Sequence, residues 1–332
     1  MNCRTLGKTG AQVSEIGLGA WQLGSADWGV VDDSDALAIL HRAVENGVTF
    51  FDTADVYGMG VSERVIGKFL RETGEPVHVA TKLGRAYPEG HAWPEKFTLR
   101  QAREATQNSL RNLGLDSLFL QQWHCVPTEV LRDGEVLEHL ETLKREGLIR
   151  NWGCSVESVE EAFLVMRHPS CAVLQVIFNI FRQKLVDELL PAAKANNVGI
   201  LARVPLASGL LTGRFNAAHQ FSANDHRNYN RDGAAFNVGE TFAGVPFERG
   251  VEFAREIEKI LAPRDGATMS QLALRWILDH DEVSCVIPGA SRPEQVDSNA
   301  AAASLPPLGE DKHRGLRDLY QTEIAPAIRG AY

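Results

Sequence analysis

With 332 residues, 44% of them hydrophobic and 23% charged, the chain has the composition of a globular protein with a large buried core, which excludes an intrinsically disordered chain. A formal charge of −9 argues against broad binding to nucleic acid or an anionic membrane surface, while leaving room for a local basic pocket. Five scattered cysteines, Cys3, Cys125, Cys154, Cys171 and Cys285, form no CxxC pair, which argues against a zinc ribbon or disulfide framework and fits a reducing cytoplasm.

The N-terminal MNCRTLGKTG has no apolar core of signal-peptide length, and no later stretch approaches about 18 uninterrupted apolar residues, so neither export nor membrane insertion is expected. In chain order, residues 4–6 and 12–13 around Gly7-Lys8-Thr9-Gly10 predict a β-hairpin. Eight short apolar runs follow, at 15–19, 48–51, 78–81, 117–121, 149–153, 173–176, 198–202 and 284–287. Amphipathic segments of helical period separate them. After the first run, Leu37, Leu40 and Val44 share a helical face that ends at Gly47, and Thr128 to Arg145, closed by Gly147, reads as another helix.

Strands joined by helix-length crossovers pair in parallel, and eight such units can close into a TIM (β/α)8 barrel. The hairpin would cap its bottom. No repeat, low-complexity tract or linker marks a boundary, so residues 1–332 are expected to form one domain. The connection between the seventh and eighth strands is the longest: a polar stretch over 213–246, then two helical segments. It leaves the C-terminal end of a strand, where barrel enzymes build their sites, so a lid is expected there.

The residues at the strand ends are unusually polar. The second run leads into Asp52, with Tyr57 five residues on; the third ends at Lys82 and the fourth at His124. Taken singly, each has an ordinary role as a turn residue, surface charge or packed loop side chain. Together, on adjacent strands, they suit proton transfer to a carbonyl oxygen. A phenol with an ordinary pKa of about 10 is a poor acid at neutral pH, and a nearby Lys82 would lower that value while Asp52 keeps the lysine charged. His124 could hydrogen-bond the substrate oxygen, and no metal is needed. A hydrolase pairing Asp52 with Asp55 is the competing use of the same residues.

The segment Phe50-Phe51-Asp52-Thr53-Ala54-Asp55-Val56-Tyr57-Gly58, followed by Ser62-Glu63-Arg64-Val65-Ile66-Gly67, closely resembles the first signature of the aldo-keto reductase superfamily. Gly17-Leu18-Gly19-Ala20-Trp21, Thr81-Lys82, Leu118-Phe119-Leu120 before His124, Gly147-Leu148-Ile149-Arg150, Cys154-Ser155, the run from Pro205 to Arg214, and Ile287-Pro288-Gly289-Ala290-Ser291-Arg292 resemble the family in the same order. The likeness spans nearly the whole chain and points to the bacterial branch related to channel β-subunit-like reductases. Several channel-associated relatives lack the histidine that this chain keeps. A subunit that holds the dinucleotide mainly as a redox sensor is the rival reading within the same resemblance.

What the resemblance implies is a catalytic tetrad of Asp52, Tyr57, Lys82 and His124 in an NADP(H)-dependent reductase of aldehydes or ketones, with Tyr57 as proton donor. No strand is followed by G-x-G-x-x-G, so a Rossmann mode is not indicated. Instead the resemblance places NADP(H) across the barrel mouth, near Ala20, Trp21 and Asp52. Ser155 and Gln175 would meet the carboxamide, and Pro205, Leu206, Ser208, Gly209, Leu211 and Arg214 the pyrophosphate. Gly289, Ser291, Arg292, Gln295 and Asn299 would face the 2′-phosphate, with Arg227 a second phosphate ligand or a surface residue. Relatives often have Ser-Asn where this chain has Ser155-Val156. Arg203 takes the place of a stacked aromatic ring, and its charge is expected to favour NADPH over NADP⁺. Trp21, Tyr57, Trp123 and His124, with Trp28 or Trp93, are expected to wall a pocket for a small carbonyl substrate, whereas Trp152 and Trp276 are assigned to packing.

Overall fold

The computed structural model describes residues 1–24, 32–85, 97–263 and 266–332. Among these, β1 (Cys3–Thr5) and β2 (Gln12–Ser14) pair antiparallel, with Cys3 opposite Ser14. The remaining strands, β3 (Leu18–Gly19), β4 (Phe50–Asp52), β5 (His78–Leu83), β6 (Leu118–His124), β7 (Ile149–Ser155), β8 (Val173–Ile177), β9 (Gly199–Arg203) and β10 (Val283–Val286), form one parallel sheet in sequence order. Hydrogen bonds from Gly17 N to Val286 O (2.8 Å), Val286 N to Glu15 O (2.9 Å) and Gly19 N to Pro288 O (3.0 Å) join the two edges, so the sheet closes into the expected (β/α)8 barrel. A Cβ on Gly19 would lie 2.8 Å from the Ile287 carbonyl oxygen, so the seam admits only glycine there.

Because both faces of a parallel sheet are covered, the strands read as continuous apolar runs, and the two faces separate only by parity. Phe50, Ala80, Leu120 and Leu201 fill the barrel interior, while their neighbours Phe51, Val79 and Ile200 pack outward against the helices. The same alternation carries Asp52, Lys82, Gln122, His124, Gln175 and Arg203 to the inside at the strands' C-terminal ends.

The hairpin plugs the opposite end. Leu6 and Val13 are fully buried beneath Phe50, Leu120 and Leu201, and Arg4 donates to the carbonyls of Leu278 (2.6 Å), Val283 (2.8 Å) and His280 (3.0 Å). The helix after β3 spans Asp33–Glu45, and Asp32 caps it by accepting the Asp35 N–H. One expected helix is two. The segment from Thr128 to Arg145 breaks into Thr128–Asp133 and Glu135–Arg145, because Gly134 adopts φ +81° and cannot carry the helix through.

The long β9–β10 connection is packed rather than extended. It contains a 3₁₀ stretch over Ala207–Thr212, a short helix at His226–Tyr229, tight turns at Val238–Glu240 and Phe242–Gly244, and the two expected helices, Phe247–Leu261 and Met269–Leu278. Asn230, fully buried, organises it by accepting the N–H groups of Ala235 and Phe236 and donating to Thr241. No helix among the described residues is long and apolar enough to cross a membrane.

Since Leu6 is a fully buried plug with no alternative partner surface, Leu6→Ala should lower unfolding stability by about 2–5 kcal/mol in chemical denaturation, without changing the catalytic residues at the other end.

Candidate active site

Three adjacent strands and one turn place the tetrad. Asp52 ends β4, Lys82 lies near the end of β5 and His124 ends β6, all on the inner face. Tyr57 follows β4 in a turn that is fixed at several points. Thr53 N donates to Ala80 O and Asp55 N to Lys82 O, which extend the β4–β5 pairing beyond the strand. Thr53 Oγ1 donates to Ser62 Oγ (2.8 Å), and Ser62 Oγ donates to Ala20 O (2.8 Å), tying the turn to the first barrel strand. Gly58 has φ +59°, and a Cβ there would sit 1.6 Å from the Gly24 carbonyl oxygen, so the turn requires glycine.

Lys82 is the hub. Its Nζ donates to Asp52 Oδ2 (2.6 Å), Thr53 O (3.0 Å) and Tyr57 Oη (3.2 Å), which uses the three donors of an ammonium. Asp52 Oδ1 in turn accepts from Gln175 Nε2 (2.7 Å) and Gln122 Nε2 (3.4 Å). Burial favours a neutral amine at Lys82, but Asp52 and Tyr57 outweigh it, so the lysine holds its proton more tightly than usual. Burial and the positive charges of Arg85, Lys82 and Arg203 push His124 well below its ordinary 6.5, making it a neutral imidazole. Its ring stands edge-on to Tyr57 at 6.0 Å, and its Nδ1 is buried without a hydrogen-bond partner among the described residues.

Tyr57 departs from expectation. Burial raises its phenol above the ordinary 10.0, and although Lys82 pulls the value back, Asp52 and Glu240 reinforce the rise. The net direction is upward, because desolvating a phenolate costs more than one already paired ammonium returns.

A cavity of about 480 Å³ opens over this group. Asp52, Tyr57, Gln175 and Arg203 line its inner end; Trp21 stacks beside Tyr57 with ring centroids 5.9 Å apart. Ala20, Pro205, Leu206, Ser208 and Gly209 also line it, as do Arg214, Arg227, Gly289, Ser291, Arg292, Gln295 and Asn299. Backbone φ is positive at Val204, Ala207, Ser208 and Gly209, a strained run that lets the chain turn sharply against the cavity. At the rim, Gln295 Oε1 accepts the Ser291 N–H (2.7 Å) at the start of the helix Pro293–Ala301.

Several expected contributors lie off the cavity, or line it with their polar groups already engaged. Trp123 does not wall the cavity: an odd position on β6, it faces outward, fully buried against Phe97, with its indole N–H on the Val136 carbonyl (2.8 Å). Leu211 is fully buried in the outer core rather than beside the cavity. Ser155 ends β7 opposite His124 and Gln175 but is buried below the cavity lining, next to the Cys125 thiol. Gln175 reaches the cavity with its amide N–H₂ already engaged by Asp52. Arg227 is held bidentately by Asp225 and lies over the Phe221 ring at 4.6 Å. Trp28 and Trp93 lie outside the described residues. Trp152 and Trp276 are core residues as expected.

Arg203 changes most. Its guanidinium is not a bare charge: Nη1 pairs with Glu240 at 2.5 Å, and Nη2 donates to Val156 O (3.1 Å). The bare charge expected at this position is therefore matched by a carboxylate. Glu240, Gln22 and Gln122 belong to the site and carried no signal in isolation. For Gln122, strand parity would have sufficed; Glu240 comes from the irregular connection, where no period exists to read.

The aldo/keto reductase family model matches residues 15–321 of this chain. The aldo-keto reductase YhdN of Bacillus subtilis (strain 168) is 29% identical over 300 residues, covering 90% of this chain and 87% of the relative. Among solved structures, the glycerol dehydrogenase AKR11B4 from Gluconobacter oxydans superposes with a TM-score of 0.80 at 28% identity, covering 100% of this chain and 98% of that one. An aldo/keto reductase from Klebsiella pneumoniae in complex with NADP and acetate does so with a TM-score of 0.68 at 26% identity, again covering 100% and 98%. The chain belongs to the aldo/keto reductase family.

Breaking the hub should expose its energetics. Lys82→Met leaves the Asp52 carboxylate buried without a counter-charge and should cost about 3–5 kcal/mol of stability. Adding Asp52→Asn should recover part of that loss, as read by paired denaturation curves.

Proposed function

We propose that this protein reversibly reduces aldehyde or ketone carbonyls to alcohols with Tyr57 as the general acid. It is an NADP(H)-dependent oxidoreductase of the aldo/keto reductase family. The observation that carries the mechanism is the Lys82 ammonium, held between Asp52 and the Tyr57 hydroxyl at the inner end of the cavity.

The cavity fits an extended dinucleotide: small residues and strained backbone along its middle permit close approach, and its rim offers Arg214, Arg292 and a helix N-terminus. In this reading Leu206, Ser208 and Gly209 receive the pyrophosphate, and Ser291, Arg292, Gln295 and Asn299 the 2′-phosphate, which selects NADP(H) over NAD(H). When bound, the nicotinamide supplies the hydride. Gln175 keeps a carbonyl oxygen free to accept from the carboxamide while its amide orients Asp52. Trp21 walls the carbonyl compound against Tyr57. Neutral His124 donates to the carbonyl oxygen without delivering charge, and Tyr57 passes its proton to that oxygen while Lys82 stabilises the phenolate left behind. With Asp52 tied to Lys82, Gln175 and Gln122, it is not available as half of a hydrolytic carboxylate pair, and the residues of a full reductase site are present where a redox sensor would need only the dinucleotide.

Tyr57→Phe should lower kcat for carbonyl reduction by about 10²–10⁴-fold and leave the NADPH dissociation constant unchanged, as read by steady-state kinetics and fluorescence titration. Wild-type turnover in this variant would remove Tyr57 from the mechanism. The pH profile should follow the two shifted groups. Since His124 is neutral well below its ordinary 6.5 and Tyr57 must be protonated to act, kcat/KM for reduction should stay flat through pH 6.5. It should fall only in the alkaline range, above the ordinary tyrosine value of 10.0.

A further inference from the structure

A second buried ion pair faces the cavity beside the tetrad. Arg203 emerges from β9 on the inner face and lines the same cavity end as Tyr57 and Gln175. Its Nη1 meets Glu240 at 2.5 Å, and both side chains are 8% exposed. Its Nη2 donates to Val156 O and to the Cys125 thiol (3.6 Å). Its Nε is buried with no hydrogen-bond partner among the described residues, so the ion pair with Glu240 is the main constraint on the guanidinium's charge.

Glu240 is elaborately held for a loop residue. Its carbonyl accepts from Ser208 Oγ (3.1 Å), and the same hydroxyl accepts the Phe242 N–H (3.2 Å), so one serine bolts the turn to the strained stretch along the cavity. Asn237 accepts the Gly239 N–H (2.6 Å) and donates to Glu157 (2.9 Å), which itself pairs with Arg85 at 3.3 Å. Phe242 and Ala243 adopt φ of +54° and +56°, a strain that persists only where the surroundings dictate it. Burial alone would raise the Glu240 carboxyl, but Arg203, Arg85 and Lys82 hold it below its ordinary value, so the pair is ionic.

Hydride and proton go to the carbon and oxygen of one C=O bond, so a nicotinamide that serves Tyr57 must lie at this end of the cavity. Its oxidised ring carries a positive charge and its reduced ring none. Three nearby cations each face a carboxylate: Lys82 meets Asp52, Arg203 meets Glu240, and Arg85 lies 3.3 Å from Glu157 and 3.9 Å from Glu240. Resting on the proposed placement of the nicotinamide, we propose that Glu240 is a positioning residue that neutralises and orients Arg203, and thereby sets how the protein divides its affinity between NADP⁺ and NADPH.

The test is calorimetric titration of the full-length protein with NADP⁺ and with NADPH. In Glu240→Gln the bare guanidinium should raise the ratio Kd(NADP⁺)/Kd(NADPH) on the order of tenfold. Arg203→Met, which leaves the carboxylate unmatched, should move the ratio in the opposite direction. The double variant should return it to near the wild-type value, and Glu240→Asp should leave it there. A merely structural pair would weaken both forms alike, so an unchanged ratio in Glu240→Gln overturns the proposal. If Glu240→Gln does not fold, the sign of the shift in Arg203→Met decides: a ratio unchanged or moved toward NADPH overturns it. If wild type binds neither form, the placement of the dinucleotide fails, and this inference with it; if wild type binds both and the ratio does not respond, only the role of Glu240 fails.

Discussion

The buried contact between Lys82 and Asp52 is the constraint around which the active end of this barrel is organised. Two charges taken out of water cost several kcal/mol each unless their remaining donors and acceptors are satisfied. Here Lys82 spends its three donors on Asp52, Thr53 O and Tyr57, and Asp52 takes two glutamine amides from β6 and β8. Satisfying one ion pair thus requires β4, β5, β6 and β8 to stand at fixed heights. The same requirement fixes the Tyr57 hydroxyl, since it is Lys82's third partner.

That arrangement explains why the shifts around the site run as they do. The tetrad is dry enough to raise the phenol and to strip the proton from His124, yet the ammonium stays charged because its carboxylate is in contact. In the proposed mechanism, an acid that keeps its proton until it is needed, beside a neutral donor and a fixed cation, would be prepared for charge that develops only in the transition state. The cost is that neither Asp52 nor Lys82 can be removed without leaving the other buried and unmatched.

The long connection between β9 and β10 supplies the other half of the site. Its helices cover the barrel as ordinary crossovers do, but the turns before them serve the cavity: Ser208 joins the strained stretch at Ala207–Thr212 to the turn that carries Glu240. In the proposed placement of the dinucleotide, coupling these two pieces through one hydroxyl would border its phosphate end and its nicotinamide end with a single mechanical unit. Asn230, deep inside the loop, holds that unit together with the packed rings of Phe215, Phe221, Phe242 and Phe247.

The barrel and its tetrad were legible in the sequence because both follow from local rules. Eight apolar runs of strand length between helical segments leave few ways to close a parallel sheet, and side-chain alternation puts Asp52, Lys82 and His124 on the face of Phe50, Ala80 and Leu120. The same parity, applied strictly, would have sent Trp123 outward and found Gln122. Other features have no local determinant. The withdrawal of Ser155 and Leu211 from the cavity, and above all the pairing of Arg203 with Glu240, arise from segments far apart in the chain. Whether an arginine is a bare charge or half of a neutral pair depends on which carboxylate the fold brings to it, and an irregular loop carries no periodicity from which that neighbour could be inferred.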